Sequence, residues 1–186
     1  MSNSETLSLL EGFFGEENVI KEWEVAKESQ DALQKGLQYC PRIDFAIKPL
    51  NTDRNLDENR HLIMRTYRKY NQFFRWLMQI GTSNHEWRVN RNPRCFLAIE
   101  CENKTSTKHR LGSLINACAI GNVGLVVTLN NKTYCSYERI VKYMEFLDFN
   151  EKLDLHPKNY IILKRNKFEA LLRLMIEGRN KHKSEK

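Results

Sequence analysis

Three carboxylates, Asp44, Glu100 and Glu102, are the residues of this sequence best placed to do chemistry. Glu100 and Glu102 are two apart in the apolar run 95–102, and Asp44 lies in the alternating run 41–47. Residues two apart in a strand share a face, roughly 7 Å from each other. Like charges at that separation disfavour each other in an interior unless a cation compensates. If the two runs are neighbouring strands, the three acids converge on an oxygen-rich site that suits Mg²⁺.

A converged site of this kind would support phosphodiester hydrolysis, because a bound metal ion activates water and neutralises developing charge. Simpler interpretations of the same acids remain open. Glu100 and Glu102 would be ordinary surface acids if the strand enters solvent at Glu100. Asp44 would be an exposed residue on the solvent face of an edge strand, or it would pair with Arg42 or Lys48.

The spacing of apolar residues predicts the elements that would position the acids. The passage 95–129, an apolar strand followed by a helix and a second apolar strand, predicts a parallel crossover. The fold class is therefore α/β. The predicted helices span 17–38, 57–80, 104–120, 137–147 and 168–176, and the predicted strands span 41–47, 95–102, 123–129 and 160–163.

Length and composition indicate one domain. A chain of 186 residues with 41% hydrophobic residues has room for a single well-buried core. We assign that domain to residues 1–178 and a basic flexible tail to 179–186. The net charge of +7 favours polyanionic partners without requiring one. Neither a membrane-spanning run nor a signal-peptide pattern is present, so we expect a soluble, cytoplasmic protein that does not contact membranes.

The cysteines predict reduced thiols rather than disulfides or a zinc site. Their number is odd, no Cys-x-x-Cys pair occurs, and free cysteine usually behaves as a small buried hydrophobe. The five positions are Cys40, Cys95, Cys101, Cys118 and Cys135.

The order of these elements and acids resembles the PD-(D/E)xK nuclease superfamily, which has the restriction-endonuclease-like fold. The resemblance covers about residues 20–130. Within it, the segments 39–47, 92–103 and 108–116 are similar to uncharacterised bacterial proteins placed in that superfamily. The resemblance implies a restriction-endonuclease-like mixed sheet flanked by helices.

The resemblance also implies roles for individual residues. Asp44 and Glu100 match the metal-binding acids, and the backbone carbonyl of Cys101 is the matching third ligand. Glu102 stands where the superfamily usually has lysine. Some restriction enzymes carry glutamate there, so Glu102 would orient or deprotonate the attacking water, hold a second metal ion, or mark a lost activity.

Basic residues at the start of the predicted crossover helix complete the expected site. Lys104, Lys108, His109 and Arg110 would bind phosphate together with the positive end of the helix dipole, although they could also be solvated surface groups. Lys104 or Lys108 would supply the positive charge that the missing lysine removes.

The resemblance therefore implies a Mg²⁺-dependent endonuclease, with Mn²⁺ as a substitute, that cleaves nucleic acid and most simply DNA. The alternative is a catalytically inactive nucleic-acid-binding or scaffold protein with the same fold. Many superfamily members add a glutamate from the first helix, for which Glu24 and Glu28 are candidates here. The sequence leaves open which of them joins the site and whether two copies form a homodimer.

Overall fold

A mixed β-sheet of six strands lies at the centre of the computed structural model, which describes residues 3–24, 41–51, 57–103, 106–150 and 157–184. Its strand order is β1-β2-β4-β5-β6-β3. Strands β4, β5 and β6 are parallel, and the other pairings are antiparallel. The strands are β1 (Val19–Glu24), β2 (Arg42–Leu50), β3 (Thr82–Ser83), β4 (Cys95–Glu102), β5 (Gly121–Thr128) and β6 (Tyr160–Lys164).

Helices cover both faces of this sheet, which confirms the predicted α/β class and the mixed sheet flanked by helices. Two of them, α4 and α5, pack on one face, hereafter the α4/α5 face, and the other four pack on the opposite face. Apolar side chains can therefore be buried on both sides of each central strand. The helices of the described residues are α1 (Ser4–Phe14), α2 (Asp57–Lys69), α3 (Asn71–Ile80), α4 (Thr107–Ile120), α5 (Asn131–Phe149) and α6 (Arg165–Ser184).

The parallel crossover predicted over 95–129 is present as β4, α4 and β5. Helix α4 approaches β5 closely at Gly124, where an added Cβ would lie 2.7 Å from the backbone nitrogen of Cys118. A second parallel unit follows, from β5 through α5 to β6. Helix α5 begins at Asn131, six residues before the predicted start, because the Asn130 side chain accepts a hydrogen bond from the backbone N–H of Thr133.

The helix predicted over 17–38 is wrong at its start. Residues Val19–Glu24 form β1, which pairs with β2, and residues 25–40 lie outside the described residues. Helical and extended patterns overlap here because Ile20 and Trp23 are three apart, but the β-branched pair Val19 and Ile20 favours a strand. The first described helix is instead α1, whose buried residues Leu10, Phe13 and Phe14 have helical spacing.

The single helix predicted over 57–80 is two helices, α2 and α3. The break falls at Tyr70, whose backbone leaves the helical conformation at φ −100° and ψ 13°. The Tyr70 ring packs against the rings of Phe14 and Phe96. The aromatic residues that indicated one long helix therefore belong to a core that two shorter helices share.

The flexible tail predicted for residues 179–186 is helical as far as Ser184, because α6 passes Gly178 without a break. Arg179 explains this extension. Its guanidinium group lies 4.1 Å from the centroid of the Phe13 ring and donates a hydrogen bond to the Phe13 carbonyl. The helix therefore contacts α1 within a segment whose composition alone is typical of a frayed end.

The close packing at Gly124 yields a stability prediction. We expect Gly124→Ala to lower the free energy of unfolding by about 1–3 kcal/mol, because the added methyl group meets the α4 backbone rather than a movable side chain. Gly112→Ala is the matched control. No atom lies within 4 Å of its added Cβ, so this helical position should gain about 0.5–1 kcal/mol. Urea unfolding measures both, and equal effects would contradict the packing described here.

Candidate functional site

One edge of the sheet collects most of the predicted site residues. Because β4, β5 and β6 are parallel, their carboxyl ends lie at the same edge, hereafter the carboxyl edge. Helices α4, α5 and α6 begin there. Strand β2 is antiparallel to β4, so its beginning, with Asp44, lies at this edge as well. In open α/β sheets, ligands bind outside the carboxyl ends of the strands.

Asp44 and Glu100 lie on neighbouring strands at the carboxyl edge. The β2–β4 pairing matches Phe45 with Ile99, and continuing that register by one residue places Asp44 opposite Glu100. Opposed residues of an antiparallel pair share a face, with Cβ atoms about 4.5–5.5 Å apart. Both side chains are partly exposed. The structure therefore brings two of the three predicted acids together.

The Asp44 carboxylate is fixed to β4. Its Oδ2 accepts a hydrogen bond from the backbone N–H of Cys101 at 2.7 Å. The bond crosses from β2 to β4 just past the last matched pair, Phe45 and Ile99. Asp44 therefore serves as the backbone acceptor where the regular ladder ends, and its side chain is held against the strand that carries Glu100.

The pKa of the Cys101 thiol depends on the charged groups near the Asp44 carboxylate. Burial, together with the negative charges of Asp44 and Glu100, raises the pKa of its thiol to about 12. Arg165 opposes that increase through its positive charge and a hydrogen bond. Asp44, Glu100 and Arg165 therefore all lie within electrostatic reach of one side chain at the carboxyl edge.

Glu102 is more deeply placed than the other two acids. Its exposed fraction is 4%, and its Oε2 accepts hydrogen bonds from Ser113 Oγ at 3.0 Å and from the Tyr137 hydroxyl at 3.4 Å. Burial raises the pKa of Tyr137, and the nearby Glu102 and Glu100 carboxylates raise it further. Glu102 thus ties β4 to both α4 and α5. Among the described residues, no three or more His, Cys, Asp and Glu side chains form a group that could hold a metal ion.

The predicted phosphate-binding residues fall into three environments. Lys108 and His109 are exposed in the first turn of α4, next to the carboxyl edge. Arg110 is buried, and its Nη1 donates a hydrogen bond to Ser136 Oγ at 2.6 Å. Lys104 lies outside the described residues. Lys108 and His109 therefore have the accessibility that phosphate binding needs, whereas Arg110 links α4 to α5.

The glutamate expected from a first helix is not found where the sequence placed it. Glu24 lies in β1, matched with Arg42 of β2, so its predicted helical setting is wrong. Glu28 lies outside the described residues. The error has the same cause as the misassigned helix: in 17–24, helical and extended spacing of apolar residues coincide.

Sequence reasoning missed a buried polar cluster where α1 and α6 begin. Arg165 is buried and donates a hydrogen bond from Nη2 to Asn3 Oδ1 at 2.6 Å, with its Nε 3.9 Å from Glu169 Oε1. The Thr6 hydroxyl donates a hydrogen bond to the same Glu169 oxygen at 2.6 Å. The only sequence signal was a charged residue directly after the apolar run of β6, and that pattern is equally typical of a surface helix start.

Comparison of the chain with protein-family models, curated proteins and solved structures gives no match. The helices of the described residues include none that combines the length and apolar character needed to cross a membrane. The geometry at the carboxyl edge is therefore the basis for a functional assignment.

The environment of Cys101 makes a prediction about its reactivity. With the thiol pKa raised from an ordinary 9.0 to about 12, its thiolate population at pH 8 falls about 1000-fold. We expect iodoacetamide to label Cys101 slowly in the native protein and rapidly in urea, as mass spectrometry of its peptide would measure. Asp44→Asn removes a charge that raises this pKa, so labelling should become faster. Native labelling as fast as in urea would contradict the described environment.

Proposed function

We propose that the protein is a metal-dependent nuclease that hydrolyses phosphodiester bonds in DNA, as its resemblance to the PD-(D/E)xK superfamily implies. The observation that carries the proposal is the placement of Asp44 opposite Glu100 at the carboxyl edge, with Asp44 fixed to the Cys101 N–H. Two carboxylates on one face of two central strands have no apolar packing role there. They do have the separation and the partial exposure that a shared ligand requires.

The two acids fit a Mg²⁺ ion, which proteins usually bind through one or two carboxylates while several waters remain. Asp44 and Glu100 would hold the ion, and the Cys101 carbonyl is the proposed third ligand. When bound, the ion lowers the pKa of a coordinated water and offsets the charge that develops on the phosphate. Mn²⁺ takes the same oxygen ligands and should substitute.

The remaining residues supply substrate binding in this proposal. Lys108 and His109 are exposed at the start of α4, where the helix dipole also favours an anion, and they would contact phosphate groups beside the two acids. Lys108 takes the place of the lysine that position 102 lacks. Some restriction enzymes of the superfamily carry glutamate at the position of Glu102, and Glu102 would orient or deprotonate the attacking water.

The second candidate function is a nucleic-acid-binding or scaffold protein that does not cleave. The buried position of Glu102 favours it, because Ser113 and Tyr137 use this carboxylate to join two helices to β4. A residue with that structural task is a poor replacement for a catalytic lysine. The two candidates differ in whether metal binds at Asp44 and Glu100.

Asp44→Asn tests the catalytic role of this residue. The amide oxygen of asparagine can still accept the Cys101 N–H bond, but the negative charge is lost. We expect Mg²⁺-dependent cleavage of plasmid DNA to fall about 100-fold or more. Urea unfolding should show a stability within about 0.5 kcal/mol of the parent protein. Asp57→Asn, the same change at an exposed position of α2, is the control and should leave cleavage unchanged.

Calorimetry separates the two candidate functions. We expect titration with Mn²⁺ to give heat in the parent protein and in Asp57→Asn, and little heat in Asp44→Asn or Glu100→Gln. DNA binding without any metal-dependent heat would instead support the non-cleaving protein. Cleavage that Asp44→Asn leaves unchanged would remove Asp44 from the mechanism.

A further inference from the structure

A groove with a volume of about 450 Å³ lies between α4 and α5. Its described lining residues include three cations and no carboxylate. The groove starts near the carboxyl edge, because Thr107 and Lys132 lie at the beginnings of the two helices that form it. The lining comprises Thr107 and Arg110 from α4 together with Lys132, Ser136, Arg139, Ile140 and Tyr143 from α5.

The cations of this groove are arranged for a linear anion. Lys132 and Arg139 are exposed and seven residues apart, so they lie on the same side of α5 about 10 Å from each other along its axis. Arg110 faces them from α4, held by its hydrogen bond to Ser136. Charges spaced along a groove suit a chain of phosphates better than one compact anion.

Exposed aromatic side chains continue from the groove along α5. Tyr143 lines the groove and is 60% exposed, and Phe146 and Phe149 follow at three-residue spacing and are 61% and 87% exposed. Residues three apart are neighbours on a helix surface. Rings this exposed bury little apolar surface in the folded chain, so their placement points to a partner with flat apolar faces.

We propose that this groove binds single-stranded nucleic acid, with phosphates along the exposed Lys132 and Arg139, the positive charge of the buried Arg110 behind them, and unpaired bases against Tyr143 and the two phenylalanines. A cationic groove bordered by aromatic rings is the combination that binds single strands with little regard to sequence. In a duplex the bases remain stacked on one another, so their flat faces are not available to these aromatic rings. Apolar protein partners would not account for three cations without an acid in the lining.

The assignment of a nucleic-acid ligand rests on the proposed function, and the groove adds a position for the bound strand. Glu102 accepts hydrogen bonds from α4 and α5, and Glu100, two residues earlier, shares its face of β4, so the acid pair lies on the same α4/α5 face as the groove. A strand in the groove would reach the carboxyl edge where α4 and α5 begin. We infer that the groove guides a single strand, or an unpaired end of a duplex, toward Asp44 and Glu100.

Fluorescence anisotropy with a labelled oligothymidine of about twelve nucleotides, in EDTA to prevent cleavage, tests the groove. We expect the double variant Lys132→Glu/Arg139→Glu to bind at least about tenfold more weakly. Loss of two phosphate contacts should also reduce the dependence of log affinity on log salt by about 1.4. The control Arg68→Glu/Arg75→Glu makes the same charge change at exposed positions of α2 and α3, on the opposite side of the sheet, and should weaken binding much less. Equal losses in both variants would overturn the inference.

Tyr143 tests the contribution of stacking. Tyr143→Ala should weaken oligothymidine binding roughly 5- to 100-fold, whereas Tyr143→Phe keeps the ring and should retain the affinity. Unchanged binding in Tyr143→Ala would overturn the stacking part of the inference. A second outcome would overturn the whole inference. If the protein dimerises, Phe146→Ser abolishes the dimer and no oligothymidine binds, then a second copy of the chain covers these rings.

The groove and the nuclease can fail separately. Asp44→Asn should bind oligothymidine as tightly as the parent protein in EDTA, because Asp44 is not among the groove residues. Binding without any cleavage would support the groove and reject the nuclease. If Lys132→Glu/Arg139→Glu cleaves DNA as fast as the parent protein and its anisotropy is unchanged, the groove proposal is rejected. The nuclease proposal is then unaffected.

Discussion

The hydrogen bond from the Cys101 N–H to the Asp44 carboxylate is the contact on which the proposed site depends. It lies where the antiparallel pairing of β2 with β4 ends, at the edge where the helices that follow the parallel strands begin. The bond gives the Asp44 carboxylate a backbone partner on β4. With it, the carboxylate keeps a defined position opposite Glu100, and a metal ion would meet two acids that are already in place.

Glu102 shows how the same strand serves stability and chemistry together. Two residues beyond Glu100, it accepts hydrogen bonds from a hydroxyl of α4 and a hydroxyl of α5. Arg110 joins the same helices through Ser136. The α4/α5 face is thus held by polar contacts near the carboxyl edge and by apolar contacts farther from it. These polar contacts hold the first turns of α4 and α5 in place, and Lys108 and Lys132 lie in those turns.

The sequence was sufficient for the parallel half of the fold, because β4 and β5 are long apolar runs and a helix with clear spacing separates them. It placed Asp44 and Glu100 on two strands, but that these strands are neighbours was only a condition of the sequence analysis and is established by the β2–β4 pairing. It failed where two periodicities coincide, as in Val19–Glu24, and where long-range contacts decide, as with Tyr70 and Arg179. It could not show that Glu102 is buried, since the hydroxyl donors come from α4 and α5. Nor could it find the groove, because Arg110 and Arg139 meet only through the packing of two helices.

The central claim is that one divalent ion binds between Asp44 and Glu100. A crystal soaked in Mn²⁺ and measured at the manganese absorption edge tests it most directly. The account predicts an anomalous peak within about 2.0–2.4 Å of an oxygen of each carboxylate. The absence of an anomalous peak at this position, in crystals where the soak has labelled other sites, would contradict the claim.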